Sequence, residues 1–135
     1  MSMQTFINLP VKDLAKATEF FAKVGFSFDQ QFTDENATRM IISEDTSVML
    51  SVEPFFKGFI GPQDITDTSK SREVVLGLSA ESREQVDDLI DKAITAGAQD
   101  LGAQDDDFMY MRGFRDIDGH QWSFIYMDQS AIPEK

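Results

Sequence analysis

Residues 5–25 read TFINLPVKDLAKATEFFAKVG, and residues 73–97 read EVVLGLSAESREQVDDLIDKAITAG. Each stretch opens as a strand and continues as a helix, and this repeated order decides the fold. In the first, Ile7, Leu9 and Val11 alternate onto one strand face. Asp13 is placed to cap a helix running to about Val24, because its carboxylate can accept from an otherwise unpaired amide. Leu14, Ala17, Phe21 and Val24 recur at helical spacing, and Gly25 supplies the stop. In the second stretch Val74, Leu76 and Leu78 share a strand face. Ser82 and Gln85 form a capping box, and Val86, Leu89, Ile90 and Ala93 make the helical stripe up to Gly97.

Each helix is followed by three strand candidates. In the first half these are Phe26–Thr33, Ala37–Ser43 and Ser47–Glu53. In the second they lie near Gln99–Ala103, Phe108–Arg115 and Gln121–Met127, with Asp118-Gly119 as a hairpin turn before the last. Pro54 suits the first turn of a short helix that puts Phe55, Phe56, Phe59 and Ile60 on one face before Gly61-Pro62. The expected fold is α+β, with two tandem βαβββ modules in a single domain over residues 1–135. Module one spans about 4–60, a linker about 61–71, and module two about 72–128. Curved mixed sheets would surround a shared cup, with the helices on the outer face.

Composition removes several function classes. The chain has 135 residues and no Cys, which excludes disulfides, thiolate metal sites and Cys nucleophiles. Twelve Lys+Arg against 24 Asp+Glu give a net charge of −12, which disfavours nucleic acid and anionic lipid as partners. No apolar run approaches the ~20 residues that span a bilayer. The expected setting is cytoplasmic, with no nucleic-acid or membrane partner. Phosphate-binding glycine motifs are absent, and Ser123 has no adjacent base that would make it a nucleophile.

The opening NLPVKDLAKATEFFAKVGF (residues 8–26) and the closing DIDGHQWSFIYMD (residues 116–128) resemble the vicinal oxygen chelate superfamily. That group comprises glyoxalase, bleomycin-resistance and extradiol dioxygenase proteins. The start and the DxDGHxW end are similar to those of the predicted lactoylglutathione lyases. The resemblance implies a homodimer and, in the family's enzymes, a lyase or dioxygenase activity at a metal held by four strand residues. Carried over residue by residue, those four positions fall on Phe6, Leu50, Val75 and Ser123, none of them a strong ligand. The single His, His120, follows the Asp118-Gly119 turn and reads as a turn residue, so two imidazoles cannot meet within one chain. No metal and no other cofactor is therefore expected, and whether any reaction is catalysed stays open.

Strand alternation extends the cup-facing set to Asn8, Val48, Val52, Gly77, Gln121 and Ile125. The opposite parity, Ile7, Leu9, Leu76, Leu78, Trp122 and Phe124, is expected to pack on the helices. The expected ligand-binding residues are Phe6, Asn8, Val48, Leu50, Val75, Gln121 and Ser123, around a small organic molecule. Filling of the cup by the same apolar side chains is the alternative. Phe55, Phe56 and Phe59 are candidates for a lid, a dimer contact or padding at the core edge. Arg39 and Arg112, charged residues inside strands, are candidates for binding an anionic substrate group, with pairing to a carboxylate or exposure to solvent the favoured alternatives.

Overall fold

The computed structural model describes residues 3–134. The chain divides into two compact units, one up to Asp67 and one from Thr68. The first contains β1 (Thr5–Val11), α1 (Leu14–Val24), β2 (Ser27–Asp29), β3 (Ala37–Ile41), β4 (Thr46–Val52) and α2 (Glu53–Ile60). The second contains β5 (Val75–Ser79), α3 (Arg83–Thr95), β6 (Gln99–Asp105), β7 (Met109–Arg115) and β8 (Gln121–Met127). Each unit forms one four-stranded mixed sheet, ordered β1-β4-β3-β2 in the first and β5-β8-β7-β6 in the second. The first and last strands of each module pair in parallel, and the remaining pairs are antiparallel. This is the α+β, tandem βαβββ order that the sequence pattern implies.

Local chemistry sets the helix ends. The Asp13 carboxylate accepts from the Lys16 amide at 3.1 Å. Gly25 closes α1 with φ 123°, a region open to glycine. Ser82 Oγ accepts from the Gln85 amide at 3.0 Å, and Gln85 Oε1 accepts from the Glu81 amide at 2.7 Å. Two donors at the start of α3 are thus satisfied reciprocally.

One face of each sheet is closed by a helix. In the first unit Ala17, Phe20, Phe21 and Val24 of α1 are buried together with Leu9, Val11, Met40, Val48 and Leu50. In the second, Val86, Ile90 and Ala93 of α3 are buried with Leu76, Phe114, Trp122 and Phe124. The Phe114 ring stacks on Trp122 at 6.3 Å and on Phe124 at 5.9 Å between centroids. Trp122 is therefore core, as its parity implied. Polar groups fasten α3 to the sheet. Tyr110 OH donates to Asp87 at 2.6 Å and Arg112 Nη1 donates to it at 3.0 Å. The Tyr110 hydrogen bond, helped by Arg112, holds the Asp87 carboxyl below its ordinary range. Arg112 also meets Asp91 at 3.5 Å and Asp100 at 3.3 Å, the carboxylate pairing expected of it.

Three expectations need correction. The strand expected over Phe26–Thr33 is only β2, followed by a 3-10 turn at Gln30–Phe32. Asp29 accepts from the Gln31 amide at 3.0 Å and so turns the chain out of the ladder. On α2 the four apolar residues form two stripes, not one. Phe55 and Phe59 are exposed and meet edge to face at 5.4 Å, whereas Phe56 and Ile60 are half-buried.

The third correction concerns β4. Residues paired across a ladder share a face. Leu50 pairs with Leu9, Val48 with Ile7 and Val52 with Val11, so all three stand on the helix-covered side. The partners of Phe6, Asn8 and Pro10 are Ser47, Met49 and Ser51. Val48 and Leu50 are both 0% exposed core residues and not open-face residues. Leu50→Ala is expected to lower stability by about 2–5 kcal/mol through transfer and cavity costs. Met49→Ala should cost less than about 1 kcal/mol. Urea unfolding of the two variants reads the parity directly.

Candidate functional site

The second sheet owes its shape to small residues in one row. Ser123 lies between Gly77 of β5 and Gly113 of β7, and Gly113 lies opposite Gly102 of β6. The row therefore reads Gly77–Ser123–Gly113–Gly102 across four strands. It carries a single hydroxymethyl group on the face away from α3. The adjacent row on one side is Val75–Gln121–Arg115–Gln99. The row on the other is Ser79–Ile125–Met111–Gln104. Taller side chains on both sides leave a depression of about 240 Å³ with Ser123, Gly113 and Gly102 in its floor. Val75, Gln121, Met111, Gln104, Leu101 and Ala103 complete its lining.

The glycines are structural causes here. A methyl group on Gly77 would stand 3.2 Å from Ile125 Cδ1 and 3.4 Å from Ser123 Oγ. One on Gly113 would meet the Trp122 carbonyl oxygen at 3.4 Å and Leu101 at 3.6 Å. Gly102 has φ 92° at a register shift in β6, and its amide donates to Asp100 Oδ1 at 2.9 Å. This bulge brings Leu101 beside Gly113.

Gln121 has a fixed orientation. Arg72 Nη1 donates to its Oε1 at 3.1 Å, and Arg72 Nη2 donates to the Thr68 carbonyl at 2.9 Å. A guanidinium only donates, so the amide must turn its oxygen to Arg72 and keep its NH2 for the other side.

Behind this face, the turn between β7 and β8 is built on Asp116. Its Oδ1 accepts from the amides of Asp118 at 2.9 Å and His120 at 3.0 Å. Its Oδ2 accepts from Trp122 Nε1 at 2.9 Å. Burial pushes the Asp116 carboxyl up, while the His120 charge and these hydrogen bonds pull it back. His120 sits in this turn, where the sequence put it.

The open face of the first sheet is built differently. Arg39 Nε donates to Ser47 Oγ at 2.8 Å, and Nη1 meets Asp29 at 3.4 Å. The rings of Phe6 and Phe32 lie 5.3 Å and 5.4 Å from the guanidinium. Phe6 and Asn8 stand on this face, exposed. Of the residues expected in a ligand site, Val75, Gln121 and Ser123 come together in the depression. Phe6 and Asn8 lie on the first sheet, Val48 and Leu50 lie in its core, and Phe55, Phe56 and Phe59 lie on α2. The wall residues Met111, Leu101 and Gln104 were missed. Glycines inside strands, at 77 and 113, were the signal that could have located them.

These faces do not fit a divalent metal. Among the residues in register on the second sheet's open face there is no His, Asp or Glu. Asp29, on the first, is already paired with Arg39. No group of three or more His, Asp or Glu with metal-binding geometry occurs among the described residues. Nor, among them, is any helix long and apolar enough to cross a membrane.

Residues 4–124 match the family model described as Glyoxalase/Bleomycin resistance protein/Dioxygenase superfamily. The chain belongs to this superfamily. Solved structures repeat the fold. A hypothetical protein from S. aureus aligns with TM-score 0.79 at 25% identity, covering 93% of this chain and 95% of its own. A glyoxalase-related enzyme from Fulvimarina pelagi aligns at 0.78 and 18% identity, covering 93% and 88%. A glyoxalase/bleomycin resistance protein/dioxygenase family enzyme from Burkholderia phytofirmans aligns at 0.76 and 14%, covering 93% and 99%. At 18% and 14% identity these last two likenesses speak to the fold alone. No protein of curated function matches the sequence.

Asp116→Ala leaves the Trp122 N–H and two turn amides without their acceptor. It should cost about 2–4 kcal/mol near pH 4, read by urea unfolding. The folded chain holds the Asp116 proton more tightly than the unfolded chain does. Its contribution is full below the unfolded pKa and is lost as pH rises through the raised folded value. The gap between wild type and Asp116→Ala should accordingly narrow as pH climbs from about 4.

Proposed function

We propose that this chain binds a small organic molecule in the depression of its second module, without a catalytic metal. The observation that supports this most directly is the Ser123–Gly113–Gly102 row, which leaves the sheet face hollow. Apolar walls with a few oriented polar groups are the usual make-up of such a site. The volume, about 240 Å³, falls below the ~300–1,000 Å³ of pockets for drug-sized ligands. The ligand is correspondingly small, and a Kd between micromolar and millimolar follows from the free energy available per atom.

Metal-assisted lyase or dioxygenase chemistry lacks support. It would need carboxylates or imidazoles where the open faces carry Phe6, Met49, Val75 and Ser123. A cytoplasmic setting fits a chain without cysteine. The exposed rings of Phe6, Phe32 and Phe59 support self-association as a homodimer, which sedimentation equilibrium reads directly.

A fragment screen by amide NMR is the first test. Saturable shifts at Val75, Gly113 and Gln121 are expected in wild type. They should vanish in Ser123→Leu, which puts a larger side chain on the floor of the hollow. Shifts that persist in Ser123→Leu would place binding elsewhere. Titration with nickel, zinc, iron(II) and manganese should give no stoichiometric complex by calorimetry. A tight one-to-one metal would overturn the metal-free reading.

A further inference from the structure

Two arginines that the rest of the chain does not explain stand beside Gln121, a lining residue of the depression. Arg72 is hydrogen-bonded to the Gln121 side chain, and Arg115 is the register partner of Gln121 on β7. Partners in an antiparallel ladder point to the same face, roughly 4.5–5.5 Å apart at Cα. Gln121 is thus flanked by a guanidinium on each side, in a protein with net charge −12.

Neither arginine is spent on a carboxylate. Ion pairs engage Arg39, Arg83 and Arg112, and among the described residues none engages Arg72 or Arg115. Three buried side-chain polar atoms lack a hydrogen-bond partner among the described residues, and two of them are the Nε atoms of Arg72 and Arg115. An abundance of acids elsewhere leaves these two cations without a carboxylate, one on each side of Gln121. The Gln121 NH2 is left to the same region, because its oxygen is held by Arg72. Donors therefore gather there, and the opposite wall carries Met111 beside Gln104.

We propose that the depression takes a small organic anion, a carboxylate or related oxyanion. Its charged end meets the Gln121 NH2 and the Arg115 guanidinium, and its apolar body lies over the glycine floor toward Met111. Arg72 is a positioning residue, which fixes the Gln121 amide and adds charge behind it. A charge-assisted bond to a planar guanidinium is stronger than a neutral one and selects for oxyanions. The long-range field of the acidic chain opposes this binding only weakly, since exposed charges beyond roughly 8–10 Å are screened at ordinary ionic strength. This inference rests on the reading of the depression as a binding site.

The experiment titrates full-length protein with three probes of one shape: phenylacetate, phenylacetamide and phenethylamine. Amide NMR follows the Gln121 side-chain NH2 and the Ser123 and Gly113 backbones. Phenylacetate is expected to shift all three, at least tenfold more tightly than either other probe. Arg115→Gln should lose that tenfold preference, and Arg115→Lys should recover part of it. Arg72→Met should move the Gln121 NH2 signal in the free protein and weaken phenylacetate binding without reversing the order of the probes. Circular dichroism checks that each variant is folded. If phenylacetamide or phenethylamine binds in the depression as tightly as phenylacetate, the anion assignment falls and the binding site stands. An equal preference in Arg115→Gln and wild type also overturns it. If no probe shifts the depression at millimolar concentration, the binding reading falls and takes this inference with it.

Discussion

The parallel pairing of the first and last strand of each module governs everything else. In the second module Leu76 lies beside Trp122 and Leu78 beside Phe124, and α3 covers this face. Burying these residues fixes the register, because a slip of one position would turn the aromatic rings out to water. The same register then has no freedom about the opposite face. Gly77 must stand next to Ser123, and Val75 next to Gln121. The hollow is thus a by-product of core packing on the far side of the sheet.

The two modules use one scaffold to opposite ends. In the first, the open face is filled by an arginine held between two aromatic rings, a serine and an aspartate. In the second, the corresponding face is emptied by glycines. The turn before β8 holds the emptied face in place. A single buried carboxylate, Asp116, gathers two turn amides and the indole of Trp122. It links the strand that carries Ser123 to the ring stack beneath α3. Such a node is well suited to a sheet with few side chains on one side, since the backbone there has less packing to hold it.

The architecture was legible because helix and strand periods differ so clearly in residues 5–25 and 73–97. Asp13, Gly25 and the Ser82–Gln85 box marked helix ends that the structure reproduces. The site was less legible, and β4 shows why. Its own pattern places Val48, Leu50 and Val52 together and Ser47 and Ser51 opposite, which already reads as a core face. A family alignment that put Leu50 at an open-face position was one residue out of phase with that alternation. Along a strand, a single-residue shift exchanges inside for outside. The rest of the depression's lining was missed for another reason. It depends on Gly113 and Gly102 lying in register with Ser123, and register between separate strands is set by the assembled sheet. The Arg72–Gln121 bond, spanning 49 positions of sequence, is invisible for the same reason.

A floor made of backbone also changes how such a site can diverge. The strands' hydrogen-bonding atoms run beneath the hollow, and no substitution short of proline alters them. Depth, in contrast, is set at Gly113 by the absence of a methyl group. One nucleotide change at that codon can therefore make the hollow shallower while the sheet and its buried face persist. Shape and charge are inherited separately here: depth through the glycine row, and polarity through the row that holds Gln121 and Arg115. A descendant could change what it holds without first relearning how to fold.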